Sequence, residues 1–573
     1  MTNPAALGGY PAKQCARAIH NDHSPASPPK PPVDERTQRL FEAGHEFEAR
    51  VNQRFADTGA LLLPAEAPWS ETINATMDAM RAGLPVIVNG RLPRTGSMTG
   101  APDVLLRIGD GYVPVDIKLH GTRKDSNRQS AWFSTLDDPV NLKRIVGLSD
   151  SGSHRESDGV QLAHYTRMLQ QLGLHAGDRH LVGGIIGQSD YSDVGGDPWL
   201  VAWYDLAAPR RATFSASAES GRSKRSLFER YDHEFAFRLL VANTAKAGGE
   251  LVRPFHIREC NSCVWSEYCT EVAGPDDASF AIRAGLPTAQ QWRFLYDRGV
   301  TTTNELAAQD PESCPRGWSP RDTQPGANAQ RKYATLVRRA GMAQATVDFE
   351  PLGEWPEIPT ADVEIDFDIE WDFDNRIYLW GMRVRNGQDE STAVFDPMVS
   401  YEPLDDAGAE VLAARFAQRL GRIMGQAETA GMSVKVFHWS HPERSMTAKY
   451  PAIAELLEGR AFDLHAWFDT HFLTREGSSI KVVAPLFDFH WEVEDAGGAE
   501  SQLKIDLART GGPKGQDARD WLHQYNQADV AAQAAIRDGL RQRSAARSIS
   551  RLVQLIETPP DSPYRSNPDG TQR

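Results

Sequence analysis

The chain has 573 residues, of which 40% are apolar and 24% charged, and a formal net charge of −15. Such a length accommodates about two to four domains with cores of their own, and the acidity excludes broad coating of nucleic acid while leaving room for a local basic groove. With no apolar run of membrane-spanning length, no secretion signal at the N-terminus and only five cysteines, a cytoplasmic protein without membrane attachment is expected, its thiols serving metal rather than a disulfide framework.

Cys15 stands in Lys-Gln-Cys-Ala-Arg-Ala-Ile-His, before a Pro-rich, extended stretch over residues 22–36. The spacing then predicts a helix from Arg39 to Val51 with an apolar stripe at Leu40, Phe41, Gly44, Phe47 and Val51. Glu48 lies on that stripe, where a carboxylate is costly unless paired or bound to metal; His45 and Glu46 are the alternatives one face over. Thr72–Gly83 reads as a helix and Pro85–Gly90 as a strand.

Gly100 to His120 holds two hydrophobic runs joined by Ile108-Gly-Asp-Gly, the pattern of a β-hairpin. Asp103 opens its first strand. Asp116 and Lys118 are two apart on the second, so they share a face. Two carboxylates and an ammonium at one end of a hairpin suit a divalent metal and an attacking water, with the lysine orienting that water or stabilising charge on a phosphate.

From Gly121 to Val160 the chain is polar, with Arg123, Lys124, Arg128, Lys143 and Arg144 around Trp132 and Phe133. Cations for phosphates and rings for bases suit a single-stranded nucleic acid; a solvated insertion fits equally. A helix over Gln161–Leu172 places Gln161 and Tyr165 on one face, strands follow at Leu181–Gly187 and Trp199–Leu206, and Arg222, Lys224 and Arg225 form a second basic patch before a helix over Phe228–Ala242. Cys260, Cys263 and Cys269 come next at spacings of x2 and x5, and Cys15 completes a four-thiolate set. Spacing leaves iron–sulfur and zinc both open, with His256 an alternative fourth zinc ligand.

Residues 277–345 read as helical. Ala284-Gly-Leu-Pro, the segment through Trp292 and Leu295, and Gly299-Val-Thr-Thr-Thr fit either a helix-hairpin-helix that grips a backbone through turn amides or a helical linker. From Ala361 the period becomes two: Val363, Ile365, Phe367 and Ile369 face one way, Glu364, Asp366, Asp368 and Glu370 the other. Four acids on one face repel one another unless cations or water screen them. A second strand is expected at Arg376–Met382. Glu443 and Asp463 compete for a further acidic role, and Tyr525-Asn-Gln-Ala-Asp529 lies in a predicted helix able to carry its carboxylate back to the acidic strand. Cys314 sits in a Pro-rich turn without an evident partner, and the tail from Thr558 reads as disordered.

Gly44-x3-Glu48, Gly100-Ala-Pro-Asp103, Asp116-Ile-Lys118 and Gln161-x3-Tyr165, in this order, resemble the motifs of the RecB-type branch of the PD-(D/E)xK nucleases. Within that branch, one cysteine before the first motif and three after the last resemble the set that holds a 4Fe–4S cluster, which the resemblance implies for Cys15, Cys260, Cys263 and Cys269. Phe367-Asp368-Ile369-Glu370 and Tyr525-x3-Asp529 resemble motifs of DEDD 3′–5′ exonucleases on an RNase H-like sheet. The whole order is similar to proteins described as predicted RecB-family nucleases.

The resemblance implies an α/β multidomain chain: a PD-(D/E)xK restriction-endonuclease-like core over 1–275 closed by the thiol cluster, a helical connector over 276–345, an RNase H-like α/β domain over 346–557 and a tail over 558–573. It implies a Mg²⁺- or Mn²⁺-dependent nuclease of DNA repair or recombination, acting on single strands or ends. Glu48, Asp103 and Asp116 would hold metal in one centre, with Lys118, Gln161 and Tyr165 assisting; Asp368, Glu370 and Asp529 would hold it in the other. RNA is the alternative substrate, a separate helicase a further implied partner, and a non-catalytic nucleic-acid-binding adaptor the alternative function. No Gly-x4-Gly-Lys-Ser/Thr loop is present, so no P-loop motor is expected.

Overall fold

A computed structural model describes residues 4–149, 154–214, 222–319, 326–494 and 497–557. The chain is an α/β multidomain protein that divides into two compact units, Met1–Gly341 and Met342–Arg573. The expected disordered tail from Thr558 lies outside the described residues.

The first unit is built on an eight-stranded mixed sheet. Its strands are β1 (Leu61–Leu62), β2 (Val86–Val88), β3 (Val104–Ile108), β4 (Gly111–Lys118), β5 (Asp125–Thr135), β6 (Lys143–Leu148), β7 (Val182–Gly187) and β8 (Leu200–Asp205), in the spatial order β1-β2-β3-β4-β7-β8-β5-β6. The β3–β4 hairpin pairs Val104 with Val115 and Ile108 with Gly111, and β4 runs parallel to β7. Because β4 has neighbours on both sides, Gly111 to Ile117 is buried throughout, the pattern of a central strand covered on both faces.

Helices cover both faces. Helix α1 (Ala16–His23) is followed by α2 (Glu35–Asp57), which starts where Asp34 accepts a hydrogen bond from the Thr37 amide at 2.6 Å. It buries Phe47, Val51 and Phe55 at a spacing of four against Val88, Val113 and Val115. Leu40 and Phe41, expected on that stripe, are 38% and 52% exposed; the buried row starts one turn later, at Ala43. The other face packs under α3 (Trp69–Arg81), α4 (Arg155–Gln171) and α5 (Leu227–Lys246). The polar stretch after Lys118 forms the β5–β6 edge hairpin, where Trp132 is exposed but Phe133 is core. Phe133 is therefore removed from the rings expected to meet bases, for the reason that neighbours along a strand point to opposite faces.

After α6 (Ser266–Ala273), helices α7 (Ala289–Tyr296), α8 (Thr303–Ala307) and α9 (Ala327–Ala345) pack around Trp292, Trp318 and Tyr333. In the turn between α7 and α8, the amides of Gly299, Val300 and Thr303 donate to backbone carbonyls. Those of Thr301 and Thr302 donate to the Glu305 carboxylate at 2.8 and 2.9 Å. The turn thus presents no free amide for a phosphate at these positions, and its regular geometry is explained by capping.

The second unit has a mixed sheet of its own: β9 (Val363–Trp371), β10 (Ile377–Asn386), β11 (Asp389–Phe395), β12 (Val434–His438) and β13 (Ala461–Asp463), in the order β11-β10-β9-β12-β13, with Met398–Val399 added beside β10. Strands β9, β10 and β11 are antiparallel, while β9, β12 and β13 are parallel. One face of β9 gives Ile365, Phe367 and Ile369 to a core under α10 (Asp406–Thr429). The rest of this unit includes α11 (His441–Thr447), α12 (Ile480–Val483), α13 (Gly498–Ala508) and the long helix α14 (Gly512–Glu557).

The acidic face of β9 is not an exposed edge: Glu364 and Asp366 are fully buried. Arg537 of α14 grips both, reaching Glu364 at 3.0 Å and Asp366 through both carboxylate oxygens. Arg385 reaches Glu364 at 2.7 Å and Asp538 at 2.6 Å, and Arg541 also meets Glu364 at 2.6 Å. Arginine supplies the screening that the four-acid face requires, but only along its first half. Removing one partner of a buried ion pair strands the other charge. Arg537→Met is therefore expected to cost about 3–5 kcal/mol and to lower the melting temperature of this unit by roughly 10 °C, with Arg537→Lys recovering only part. An unchanged thermal melt would show that this network does not hold α14 on β9.

Candidate functional site

In the first unit, the hairpin ends bring together most of the residues expected there. Asp103 lies just before β3, and its Oδ2 accepts the Ile117 amide at 2.7 Å, which locks the carboxylate over β4. Gly100 makes room for α4: a Cβ there would stand 2.9 Å from the Tyr165 ring and the Met168 sulfur. Asp116 is fully buried, with Lys118 Nζ 2.7 Å from its Oδ2 and no hydrogen-bond partner for Oδ1 among the described residues. Burial, then Asp116, hold the Asp103 carboxyl well above the usual carboxylate range. Burial alone would lower the Lys118 pKa, but Asp116 and Asp103 outweigh it and raise it. The ammonium is thus a fixed cation rather than a base at neutral pH.

Glu48 of α2 is the third acid expected here, but among the described residues it forms no trio with Asp103 and Asp116 whose ligand oxygens lie within 4.8 Å of one another. Its pKa is raised by burial first and also by Asp116, while His45, a hydrogen bond from Asn52 and Lys118 oppose the rise. Asn52 is itself pinned: its Nδ2 donates to Asn89 Oδ1 at 3.2 Å. Asn89, in the left-handed region at φ 58°, donates its amide to the Asp103 carbonyl at 2.7 Å. His45 and Glu46 are exposed, and Glu46 pairs with Arg39 at 3.0 Å. On α4, Gln161 Nε2 donates to the Tyr165 hydroxyl at 3.0 Å. Burial and the nearby Asp116 and Asp103 raise the Tyr165 pKa, so its proton stays available to donate.

Four residues that sequence reasoning missed stand around this centre. Lys13 Nζ donates to Gln161 Oε1 at 2.8 Å; burial and then Lys118 push its pKa down to about 8. Asp158 is buried with His120 Nε2 at 3.2 Å, and the His120 ring stacks on His154 with centroids 4.2 Å apart. Of these only His120 carried a sequence signal, since it continues the Asp116, Lys118 alternation along the chain.

The second unit gathers Asp368, Glu370 and Asp529, whose nearest ligand oxygens all lie within 4.8 Å of one another. Asn526 Nδ2 donates to Asp368 Oδ2 at 2.7 Å, and Gly381 of β10 admits it, since a Cβ there would collide with the Asn526 side chain. Ser501 Oγ donates to Glu370 Oε2 at 2.5 Å. Asp529 Oδ1 accepts from Trp491 Nε1 at 2.7 Å and from Lys481 Nζ. The Lys481 ammonium also stands 3.8 Å from the Trp491 ring centroid and 4.3 Å from that of Tyr525.

Of the two competing acids, Glu443 joins the centre. It is buried on α11, accepts from Ser440 Oγ at 2.7 Å and hydrogen-bonds Asp368. Asp463 instead caps a helix, its Oδ1 accepting the Ala466 amide at 2.8 Å. Burial first, then Glu370, Asp529 and Glu443, push Asp368 well above the carboxylate range. Burial and Asp529 push Glu370 up to about 8. Along one strand face, then, the first two acids meet arginine and the last two meet further acids. Such a group fits divalent cations, which bind carboxylate oxygen and remove the repulsion.

The thiols of Cys15, Cys260, Cys263 and Cys269 neighbour one another. Burial raises the pKa of each, that of Cys260 to about 11 with its three companions contributing. The Ile257 amide donates to Cys260 Sγ at 3.5 Å and Asn21 Nδ2 to Cys269 Sγ at 3.4 Å. His256 is engaged elsewhere, its Nδ1 3.1 Å from the Ile282 carbonyl. Cys314 packs at the edge of the helical cluster around Trp318. No helix among the described residues is long and apolar enough to cross a membrane. No protein-family model, curated protein or solved structure matches the chain.

Proposed function

We propose that this chain is a metal-dependent nuclease that hydrolyses phosphodiester bonds of DNA, on single strands or ends, with one carboxylate centre in each unit. The observation that carries the reading is the uneven neutralisation of the β9 acids. Arginines saturate Glu364 and Asp366, while Asp368 and Glu370 meet the further acids Asp529 and Glu443. The antiparallel β9–β10 pair and the helix bearing Asp529 support an RNase H-like, DEDD-type assignment for the second unit. The hairpin with Asp103, Asp116 and Lys118 supports a PD-(D/E)xK assignment for the first, and DNA repair or recombination is the process such a pair of centres would serve.

In the first centre Glu48, Asp103 and Asp116 would hold Mg²⁺ or Mn²⁺; in the second, Asp368, Glu370 and Asp529 would, with Glu443 as a fourth carboxylate. The bound cations would supply polarisation of the phosphodiester and acidification of the attacking water. Lys118, held protonated by Asp116, would offset negative charge developing on the phosphate. Tyr165 would keep its proton and donate a hydrogen bond toward the same acids. In the second centre Lys481 and Trp491 would fix one Asp529 oxygen and leave the other for the cation.

The same reading makes Cys15, Cys260, Cys263 and Cys269 the ligands of a 4Fe–4S cluster. N–H groups aimed at sulfur are among the devices by which proteins tune such clusters.

The test is digestion of end-labelled single- and double-stranded DNA and RNA by anaerobically purified protein with Mn²⁺, beside an EDTA control. Cutting that needs Mn²⁺, in iron-bearing brown protein, is expected. Binding without cutting of any substrate would replace the enzyme with an adaptor, and stoichiometric zinc without iron would reassign the thiols.

A further inference from the structure

Lys13 plays no part in the chemistry above, yet its ammonium reaches the first centre. The turn Pro11–Lys13 is clamped: the Lys13 amide donates to the Tyr10 carbonyl at 3.1 Å. The next carbonyl, that of Gln14, accepts from Arg238 Nε at 3.0 Å and from its terminal nitrogen at 2.8 Å. From this turn Lys13 Nζ donates to Gln161 Oε1 at 2.8 Å, while Gln161 Nε2 donates to Tyr165 at 3.0 Å. The ammonium has only donors to offer, so the lysine takes the amide oxygen and leaves Nε2 for the Tyr165 hydroxyl.

The two cations of the centre differ in their partners. Lys118 is engaged with Asp116 at 2.7 Å. Lys13 has no carboxylate within 4.0 Å among the described residues, and a neutral amide oxygen is its hydrogen-bond partner. Its ammonium also stands 4.8 Å from the Tyr10 ring centroid, and it lies close enough to Lys118, Asp158 and Asp116 to interact with their charges, but no ionised oxygen bonds its remaining N–H groups among the described residues. A half-buried ammonium is better satisfied by an ionised oxygen than by an amide. On the nuclease reading Asp116 and Asp103 would be taken up by the metal, and a phosphate of the substrate is the anion left to meet this ammonium.

We propose that Lys13 is a phosphate-binding residue of the first centre. Its ammonium would take a backbone phosphate of the substrate strand beside the one that is cut, and Gln161 would be the positioning residue that holds it there. The inference rests on the nuclease reading of this centre. It gives the Gln161–Tyr165 pair a physical role, in which Tyr165 orients Gln161 and Gln161 orients Lys13. Lys118 meets the reacting phosphate, whereas Lys13 contributes binding alone.

The experiment uses the full chain carrying Asp368→Ala, which disables the second centre, with Lys13→Met and Lys13→Arg added separately. Cleavage of a short labelled single-stranded DNA is followed in Mn²⁺. Binding of the same strand is followed by fluorescence anisotropy in Ca²⁺ over a range of salt, and Mn²⁺ affinity by calorimetry. For Lys13→Met a KM about tenfold higher with kcat nearly unchanged is expected, the pattern of lost uniform binding. The slope of log affinity against log salt should become shallower by about 0.7, the share of one phosphate contact on a single strand. Lys13→Arg should restore most of both, and Mn²⁺ affinity should not move. An unchanged KM and salt slope, or a loss of Mn²⁺ affinity, would overturn the proposal while cutting by the Asp368→Ala parent still upheld the nuclease reading. A parent that neither binds nor cuts would overturn both.

Discussion

In a chain whose second centre is disabled by Asp368→Ala, Lys118→Ala is expected to cut roughly 10²–10³-fold more slowly, the usual cost of removing one preorganised group that meets developing negative charge. Mn²⁺ should still bind. The reason lies in the division of labour at the end of β4. Asp116 is fully buried with one oxygen lacking a partner among the described residues, and Asp103 is locked by the Ile117 amide; on the proposed reading both would hold a cation whether or not Lys118 is present. Lys118 is the group whose loss removes charge from the phosphate side without removing a ligand. Added Mn²⁺ should therefore leave the Lys118→Ala rate low, whereas Asp116→Asn, which weakens a ligand, should be partly restored by excess Mn²⁺. Both variants should stay folded and bind DNA nearly as well as the parent, because phosphate affinity is spread over separate basic residues. Undiminished cutting by Lys118→Ala in the Asp368→Ala background would remove the hairpin from the chemistry.

The legible parts of both centres were those set by local spacing. Asp116 and Lys118 share a face because strands alternate, and Tyr525 and Asp529 share one because a helix repeats; neither needs the rest of the fold. Trp132 and Phe133 show the same rule missed: adjacent strand residues cannot both be exposed on one face, and Phe133 went to the core. What sequence could not supply were partners far apart in the chain. Arg537 and Arg541 sit more than 170 residues from the acids they neutralise, so nothing local distinguished Glu364 and Asp366 from Asp368 and Glu370. The difference between Glu443 and Asp463 likewise lies in place rather than motif: Glu443 hydrogen-bonds Asp368, whereas Asp463 caps a helix. Lys13 and Asn52 act through amide partners, Gln161 and Asn89, and carry no motif at all.

The acids of the second centre also make the stability of residues 342–573 depend on pH, in a direction opposite to that of a salt-bridged carboxylate. Burial and mutual repulsion raise Asp368 well above its ordinary value and Glu370 to about 8, against about 4 in an unfolded chain. Between those limits the folded, metal-free protein binds more protons than the unfolded one. By linkage its stability is full at low pH and falls as pH rises from about 4.5 through about 8. In EDTA the melting temperature of this unit should drop on the order of 5–10 °C across that window. Saturating Mn²⁺ should reverse the trend, since the ligands must be deprotonated to bind and binding stabilises the folded state. Asp368→Asn removes one of the crowded carboxyls. It should flatten the pH dependence in EDTA, lower Mn²⁺ affinity by more than about 100-fold, beyond what loss of an outer-shell partner costs, and abolish any cutting that survives Lys118→Ala. Glu443→Gln should act in the same direction and Asp463→Asn should not. Calorimetric scans at several pH values, with EDTA and with graded Mn²⁺, measure the stability and affinity changes, and digestion of an end-labelled strand measures the loss of cutting. A melting temperature that ignores both pH and Mn²⁺ would show that these acids, close as they are, form no cation site.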